Sequence, residues 1–482
     1  MTGSVADGNL IGGHWFVGAE PLESRNPSDL SDIVGRFGAA SPDQVDDAVR
    51  AARAALPAWS ATPFRERERI LRRIGDALAA QADSLGRLIS REEGKPLREG
   101  LGEAQRAAEL FHYYAGECLR QFEESAQSIR PDITIDITRE PVGVVAIIAP
   151  WNFPVALPGW KIAPALAYGN CVVYKPSELV PASSVAFARV LAECGLPPGV
   201  ANVVLGHGPD IGAALAAHEG VDAISFTGSM ATGERVAQAG IRHMAKLQLE
   251  MGGKNPLVVL DDADLDRAVE CAAQGAFYAT GQRCTASSRL IVTKGIHDRF
   301  VAGLGQRMDQ LRVGHALDDD TIIGPLVNRR QMERSLEYID IGKAEGARLL
   351  RGGRPVKARC DGHYLEPALF IETDNRMRIN QEEIFGPVAS VIAAADYDEA
   401  LAIANDSPFG LTAGIITTSE KKAQHFRRHI QAGVATVNLP TVGLDFHVPF
   451  GGQKRSSYGP REQGTYAREF YTETRIAYSL DT

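Results

Sequence analysis

From Val142 onward the chain alternates short, uninterrupted apolar runs with helix-length segments. Gly143 to Ile148, Cys171 to Tyr174, 201–205, 222–226 and 245–249 read as strands, and Val155 to Tyr168, 182–194, 209–217 and 231–240 as the helices between them. A strand without in-and-out alternation must be covered on both faces, and strands joined by helices run parallel. The expected fold class is therefore α/β, built on a doubly wound parallel sheet. Such a sheet takes ligands beyond the carboxyl ends of its strands. Asn152, Lys175 and Gly228 all fall just after predicted strand ends.

A second alternating block begins near Pro256 and extends to about Pro449, with strands around Leu290 to Val292, Val388 to Ala393 and Gly414 to Ile416. A chain of 482 residues, 44% of them hydrophobic, exceeds what one core holds, so two or three domains are expected. The first part is rich in helix signals. Ser41-Pro42-Asp43 caps a run through Ala55, Thr62-Pro63 opens an amphipathic stretch to about Glu93, and a further helix is predicted from Gly102 to Phe122. Between Ser128 and Glu140 the period changes to two, with Ile129, Ile133, Ile135 and Ile137 alternating with polar residues, which marks a half-exposed strand pair. The tail from Glu469 to Leu480 also has strand character and can pair with that ribbon, within the chain or across subunits.

Composition removes several functions. A formal net charge of -9, with no clustered basic face, excludes nucleic acid and anionic membrane surfaces as partners. No apolar stretch is long enough to span a bilayer, and Met1 to Leu10 lacks the pattern of a signal peptide. The six cysteines show no paired spacing, as expected of reduced thiols in a cytoplasmic enzyme. His425 and His429 stand four apart but lack the glutamate of a zinc-peptidase motif, and read as a solvated helix face; no metal is expected.

The chemistry concentrates in a few frames. Cys284 lies in Gly281-Gln282-Arg283-Cys284-Thr285-Ala286, and Glu250 in Glu250-Met251-Gly252-Gly253-Lys254-Asn255-Pro256. A cysteine thiolate attacks carbonyls, and a carboxylate nearby can activate the water that releases the product. Alone, Cys284 reads equally as a small buried hydrophobe and the Gly-Gly pair as a turn. Asn152, between Pro150-Trp151 and Phe153-Pro154, is either a fixed donor for an oxyanion or the cap of the next helix. Lys161 stands in an apolar helix, where a lysine snorkels or pairs. Lys175-Pro176-Ser177-Glu178 closes the second strand, and Gly228-Ser229 with Gly233 opens a helix whose N-terminus can receive pyrophosphate. Glu383-Ile384-Phe385-Gly386-Pro387 reads by itself as a Gly-Pro turn.

Together, in this order, these motifs resemble the aldehyde dehydrogenase superfamily along nearly the whole chain. The resemblance implies a three-domain architecture with a β oligomerisation ribbon. Residues 1–122 and 142–252 would form a cofactor-binding domain, 253–449 a catalytic domain, 123–141 and 468–482 oligomerisation strands, and 450–467 a return segment. It further implies Cys284 as nucleophile, Glu250 as hydrolytic base, Asn152 with the Cys284 N–H as oxyanion hole, and Lys161 as a support that orients the oxyanion site and the base. The cofactor would be NAD, with NADP also tolerated, held by Pro150, Trp151, Lys175, Ser177, Glu178, Gly228, Ser229, Gly233, Glu383 and Phe385. Pro449 to Lys454 would pack near the substrate mouth. The protein would be a homodimer or homotetramer.

The frames Asn26 to Asp29, Gly281 to Arg289 and Ser456 to Gly464 are most similar to the branch acting on 2-oxoglutarate semialdehyde (2,5-dioxopentanoate). Arg283 beside the nucleophile, and Arg106 on the predicted 102–122 helix, are then candidates for holding a substrate carboxylate. Arg283 also occurs in non-phosphorylating glyceraldehyde-3-phosphate dehydrogenases, so succinic semialdehyde and that phosphate ester stay open as alternatives. A CoA-acylating enzyme would share Cys284 but need no Glu250. A non-catalytic relative would not retain Asn152, Glu250, Cys284 and Glu383 together.

Overall fold

A computed structural model describes residues 8–120 and 123–480. The expectations for Met1 to Asp7, for the Phe122 end of the predicted helix and for Asp481-Thr482 lie outside the described residues. Two large sheets carry the molecule. The first runs, edge to edge, His14–Phe16, Asn9–Ile11, Ala201–Val203, Cys171–Lys175, Val144–Ile148, Ala223–Thr227, Lys246–Glu250 and Ser457–Tyr458. Its centre, from Ala201–Val203 to Lys246–Glu250, is parallel, and its edges are antiparallel. Strand order reverses between Val144–Ile148 and Ala223–Thr227, which opens a crevice at their carboxyl ends.

The second sheet has the order Arg348–Arg351, Ala368–Thr373, Val388–Ala394, Ser287–Thr293, Asn255–Val259, Thr412–Ile416 and Val434–Val437. All its pairings are parallel except at Arg348–Arg351. The chain passes from Lys246–Glu250 straight into Asn255–Val259, so the carboxyl ends of the first sheet face the amino ends of the second. The central strands of both are buried along their whole length, as uninterrupted apolar runs require.

Several elements differ from their sequence expectation. Ser41 caps Pro42–Ser60 in a reciprocal box with Gln44, but the stretch from Thr62 to Glu93 is two helices, Phe64–Ala80 and Ala82–Glu93, meeting at Gln81. The helix expected from Gly102 starts at Leu97 and runs to Cys118. Gly100 lies inside it and packs closely on the neighbouring helix, where a Cβ would stand 2.4 Å from the Gly86 carbonyl oxygen. The 209–217 segment opens with a wide turn, Gly208–Gly212, before Ala213–Ala216. Four N-terminal strands, Asn9–Ile11, His14–Phe16, Glu20–Asn26 and Asp29–Ala39, were not expected at all. The first two carry a signal in Gly12-Gly13, both at positive φ (59° and 85°), the two-residue turn of a tight hairpin.

The ribbon consists of Glu124–Gln127 and Ile133–Pro141, with Ile129 in the bend between them rather than in a strand. Thr472–Leu480 pairs with it antiparallel from Thr472↔Pro141 to Leu480↔Ile133. This pairing lies within one chain. Asn170 anchors the tail where it enters the first sheet: its Oδ1 accepts from the Gly143 N–H at 2.9 Å, and its Nδ2 donates to the carbonyls of Ala165 (3.0 Å) and Tyr471 (2.9 Å). Asn170→Ala would leave the buried Gly143 N–H unpaired, while the Ala165 and Tyr471 carbonyls keep the backbone N–H groups of residue 170 and Val142, at a cost of roughly 1–3 kcal/mol. Urea denaturation should show the midpoint falling accordingly; an unchanged midpoint would mean the tail is held by its strand pairing alone.

Candidate active site

The two sheets enclose a cavity of about 470 Å³. From the first sheet come Pro150, Trp151 and Asn152 after Val144–Ile148, Gly228 and Ser229 after Ala223–Thr227, and Glu250 at the end of Lys246–Glu250. From the second come residues that precede strands: Cys284 before Ser287–Thr293, and Glu383 and Phe385 before Val388–Ala394. Arg106 and Arg283 line the same cavity, as do Phe450 and Gln463. Lys161, Lys175, Ser177, Glu178 and Gly233 do not line it.

The Gly252-Gly253 pair is a close-packing device rather than a positive-φ turn. A Cβ on Gly252 would stand 2.1 Å from Glu383 Oε2, and one on Gly253 would stand 2.6 Å from the Cys284 carbonyl oxygen. Only bare Cα atoms let the Glu383 carboxylate and the nucleophile loop approach this segment from two sides. Gly253 N–H then donates to Glu383 Oε1 at 3.0 Å. Asn255 Nδ2 donates to the carbonyls of Cys284 (2.7 Å) and Ala286 (2.9 Å).

The loop that delivers Cys284 is strained. Ala279, Thr280 and Gly281 have φ of 52°, 57° and 65°, a left-handed run that persists only where its surroundings over-determine it. Glu99 supplies much of that restraint: it accepts from the Ala279 N–H at 3.2 Å and from Arg283 Nη2 at 3.0 Å. Thr280 Oγ1 donates to the Gly324 carbonyl, and Gln282 Oε1 accepts from the Val327 N–H.

Asn152 is buried, and its Nδ2 donates one hydrogen to the Gln282 carbonyl at 3.0 Å. The second amide hydrogen remains for a ligand. Its backbone carbonyl accepts from Lys95 Nζ at 2.6 Å, and Lys95 pairs at 2.6 Å with Glu103, whose other oxygen takes the N–H groups of Val155 and Ala156. Lys95 and Glu103 are fully buried and were not read from sequence. Phe385, at φ 60°, meets Trp151 edge to face at 5.5 Å. Gln331 and Arg334 hold that turn by donating to the carbonyls of Ile384, Phe385 and Glu383.

Lys161 pairs with a carboxylate that sequence reading missed, Glu462, and donates to Ser225 Oγ at 2.9 Å. Glu250 lies near this pair, with its Oε2 accepting from Ser457 Oγ at 2.5 Å. Burial, and then the neighbouring Glu462, hold the Glu250 carboxyl well above the usual carboxylate range. Lys175 is buried and faces Glu178 at 3.5 Å; burial lowers its ammonium from its ordinary value. Ser229 caps Met230–Gly240, accepting from the Thr232 N–H. The two arginines differ: Arg283 is engaged by Glu99, whereas Arg106 donates to the Leu444 carbonyl and lies 5.3 Å over the Phe446 ring. No carboxylate among the described residues pairs with Arg106.

Burial, Glu383 and Glu250, in that order, push the Cys284 thiol up to about 12. In the free protein the thiol is therefore protonated at neutral pH. Alkylation of Cys284 by iodoacetamide, followed by peptide mass spectrometry, should accelerate continuously into the alkaline range. Glu383→Gln removes a like charge and should raise the neutral-pH rate several-fold; an unaltered rate would mean that burial alone sets the thiol.

A family model described as Aldehyde dehydrogenase family matches residues 15–477. An Alpha-ketoglutarate semialdehyde dehydrogenase of Haloferax volcanii is 43% identical, over 98% of this chain and 98% of the relative. An Alpha-ketoglutaric semialdehyde dehydrogenase of Bacillus subtilis is 42% identical, over 98% and 97%. The crystal structure of betaine aldehyde dehydrogenase from Staphylococcus aureus in complex with NAD+ superimposes with a TM-score of 0.97 at 33% identity, over 99% of this chain and 96% of that one.

Proposed function

The chain belongs to the aldehyde dehydrogenase family, and from that premise we propose that it oxidises 2-oxoglutarate semialdehyde to 2-oxoglutarate with NAD. The observation that carries this reading is the convergence on one cavity of Cys284, Glu250, Asn152 and Arg106, an arginine with no carboxylate partner among the described residues. The names and identity levels of the Haloferax volcanii and Bacillus subtilis relatives support the substrate. The NAD complex of the Staphylococcus aureus enzyme supports the cofactor.

The residues present fit a dinucleotide. Gly228 and the capped N-terminus at Ser229 suit a pyrophosphate, the Glu383 carboxylate suits ribose hydroxyls, and the Trp151–Phe385 pair flanks the place for a nicotinamide. Lys175, Ser177 and Glu178, beyond the cavity wall, would meet the adenosine end, where the Glu178 carboxylate disfavours a 2′-phosphate. Gly233, in the helix that Ser229 opens, lets that helix pack close to Met251. NAD, when bound, accepts the hydride.

The Cys284 thiol gives up its proton to solvent, the thiolate adds to the aldehyde carbon, and the second amide N–H of Asn152 with the Cys284 N–H receives the oxyanion. Loss of hydride from that carbon leaves a thioester on Cys284. Glu250 takes a proton from water, the resulting hydroxide adds to the thioester carbon, and the carbon–sulfur bond breaks to release acid and thiolate. Lys161 acts through Glu462 at the back of Glu250.

Residues 1–122 with 142–252 serve as the cofactor-binding domain, 253–449 as the catalytic domain, and 450–467 as the return segment. The ribbon of 123–141 and 468–482 serves assembly into a homodimer or homotetramer, an assignment supported by exposed Ile476, Tyr478 and Leu480. Among the described residues no helix is long and apolar enough to cross a membrane, and we place the enzyme in the cytoplasm.

Cys284→Ala should keep NAD binding and retain less than about a hundredth of wild-type kcat. Glu250→Gln should give a burst of reduced cofactor in rapid mixing, followed by slow turnover. If the burst slows as much as the steady state, Glu250 is not reserved for hydrolysis.

Arg106→Leu should lower kcat/KM about ten- to a hundred-fold for 2-oxoglutarate semialdehyde and succinic semialdehyde, the worth of a charge-assisted bond, and should spare propanal. Arg283→Leu breaks the Glu99 restraint on the nucleophile loop and should lower all three alike. Equal losses for charged and neutral aldehydes in Arg106→Leu would exclude it as the carboxylate partner.

A further inference from the structure

Ser457 belongs to a frame that the reaction as described does not use. It lies on the edge strand Ser457–Tyr458, which pairs antiparallel with the end of Lys246–Glu250, and its register partner is Glu250 itself. Residues directly opposite in such a pair project to the same face with Cβ atoms about 5 Å apart, so a serine there is within reach of the carboxylate. The Ser457 hydroxyl oxygen accepts from the Gly452 N–H at 2.6 Å. With that lone pair occupied, the O–H is directed at Glu250 Oε2, 2.5 Å away. The other carboxylate oxygen, Oε1, lies against the bare Cα of Gly451, where a Cβ would be 2.8 Å distant. Neighbouring Ser456 fixes the same segment through its backbone: its Oγ donates to the Gly252 carbonyl, and its own carbonyl accepts from the Met251 N–H.

We propose that Ser457 is a positioning residue for Glu250, its hydroxyl holding one carboxylate oxygen and so setting both the place and the acidity of the hydrolytic base. This rests on the assignment of Glu250 as that base. The charged and titratable groups facing Glu250 are Glu462, Lys161, Arg461 and, across the cavity, Cys284 and Glu383. Burial and Glu462 favour the protonated carboxyl, whereas Lys161, Arg461 and the Ser457 donor favour the carboxylate. The serine is the member of that set that bonds the base directly without adding charge. Losing its donor destabilises the carboxylate, so the base holds its proton to higher pH.

The test is the pH dependence of thioester hydrolysis, read as the turnover that follows the burst of reduced cofactor, in wild type, Ser457→Ala, Ser457→Thr and Glu250→Gln. Ser457→Ala should retain the burst and move the acid limb of hydrolysis upward by about one pH unit, a tenfold change in the ionisation constant. Ser457→Thr, which keeps the hydroxyl, should return the limb to the wild-type position. A limb that stays in place in Ser457→Ala, whether or not the rate falls, overturns the inference, because a purely structural serine would lower the rate without moving the limb. Absence of the burst in Glu250→Gln would overturn the assignment of the base itself, and is read independently of the serine variants.

Discussion

The structure depends on one close approach. Gly252 and Gly253 lie in the short span, Met251 to Lys254, between Glu250, the last residue of a first-sheet strand, and Asn255, where a second-sheet strand begins. Glu383 packs on one glycine and the backbone of Cys284 on the other, each nearer than any Cβ would permit. The carboxyl ends of one parallel sheet and the amino ends of another are thereby fastened edge to edge. Nucleophile, base and the Glu383 carboxylate then converge on one cavity without any of them being close in sequence. The side-chain amide of Asn255 completes the joint by gripping the nucleophile loop from inside the second sheet.

Two buried charge pairs support the site. Lys95 with Glu103 underlies the Asn152 turn, and Lys161 with Glu462 underlies the base. Buried pairs of this kind give little net stability, but removing one partner strands the other in a low-dielectric interior. Their value here is geometric. Lys95 fixes the backbone carbonyl of Asn152, and Glu103 caps the turn that follows with both of its oxygens engaged. The unpaired carboxyls, Glu250 and Glu383, face the cavity and are raised by burial. They in turn disfavour the thiolate of Cys284. The resting thiolate is thus disfavoured first by burial and then by the same carboxylates that the proposed reaction employs.

The parallel sheet was legible because its strands are buried on both faces and therefore carry no polar alternation. Val144–Ile148 and Cys171–Lys175 sit within a residue of their expected bounds. The N-terminal strands were missed because they are short or irregular and half exposed, and their local signs are two turns, Gly12-Gly13 and Pro27-Ser28.

At the site, the sequence by itself determined which side chains carry reactive chemistry, because a thiol, a carboxylate and an amide in distinctive frames are legible one at a time. It also determined that several stand at strand ends, since strand ends follow from hydrophobic period. Tertiary structure alone decided their partners. Lys161 faces Glu462, Arg283 faces Glu99, and Glu250 faces Ser457, across separations of hundreds of residues in most cases. No local signal encodes such pairings, because they arise from sheet order and strand register, which are set by how whole buried faces pack. That is also why Arg106 and Arg283, equal as cations in the sequence, became one arginine with no carboxylate partner among the described residues and one bound to a glutamate in the fold.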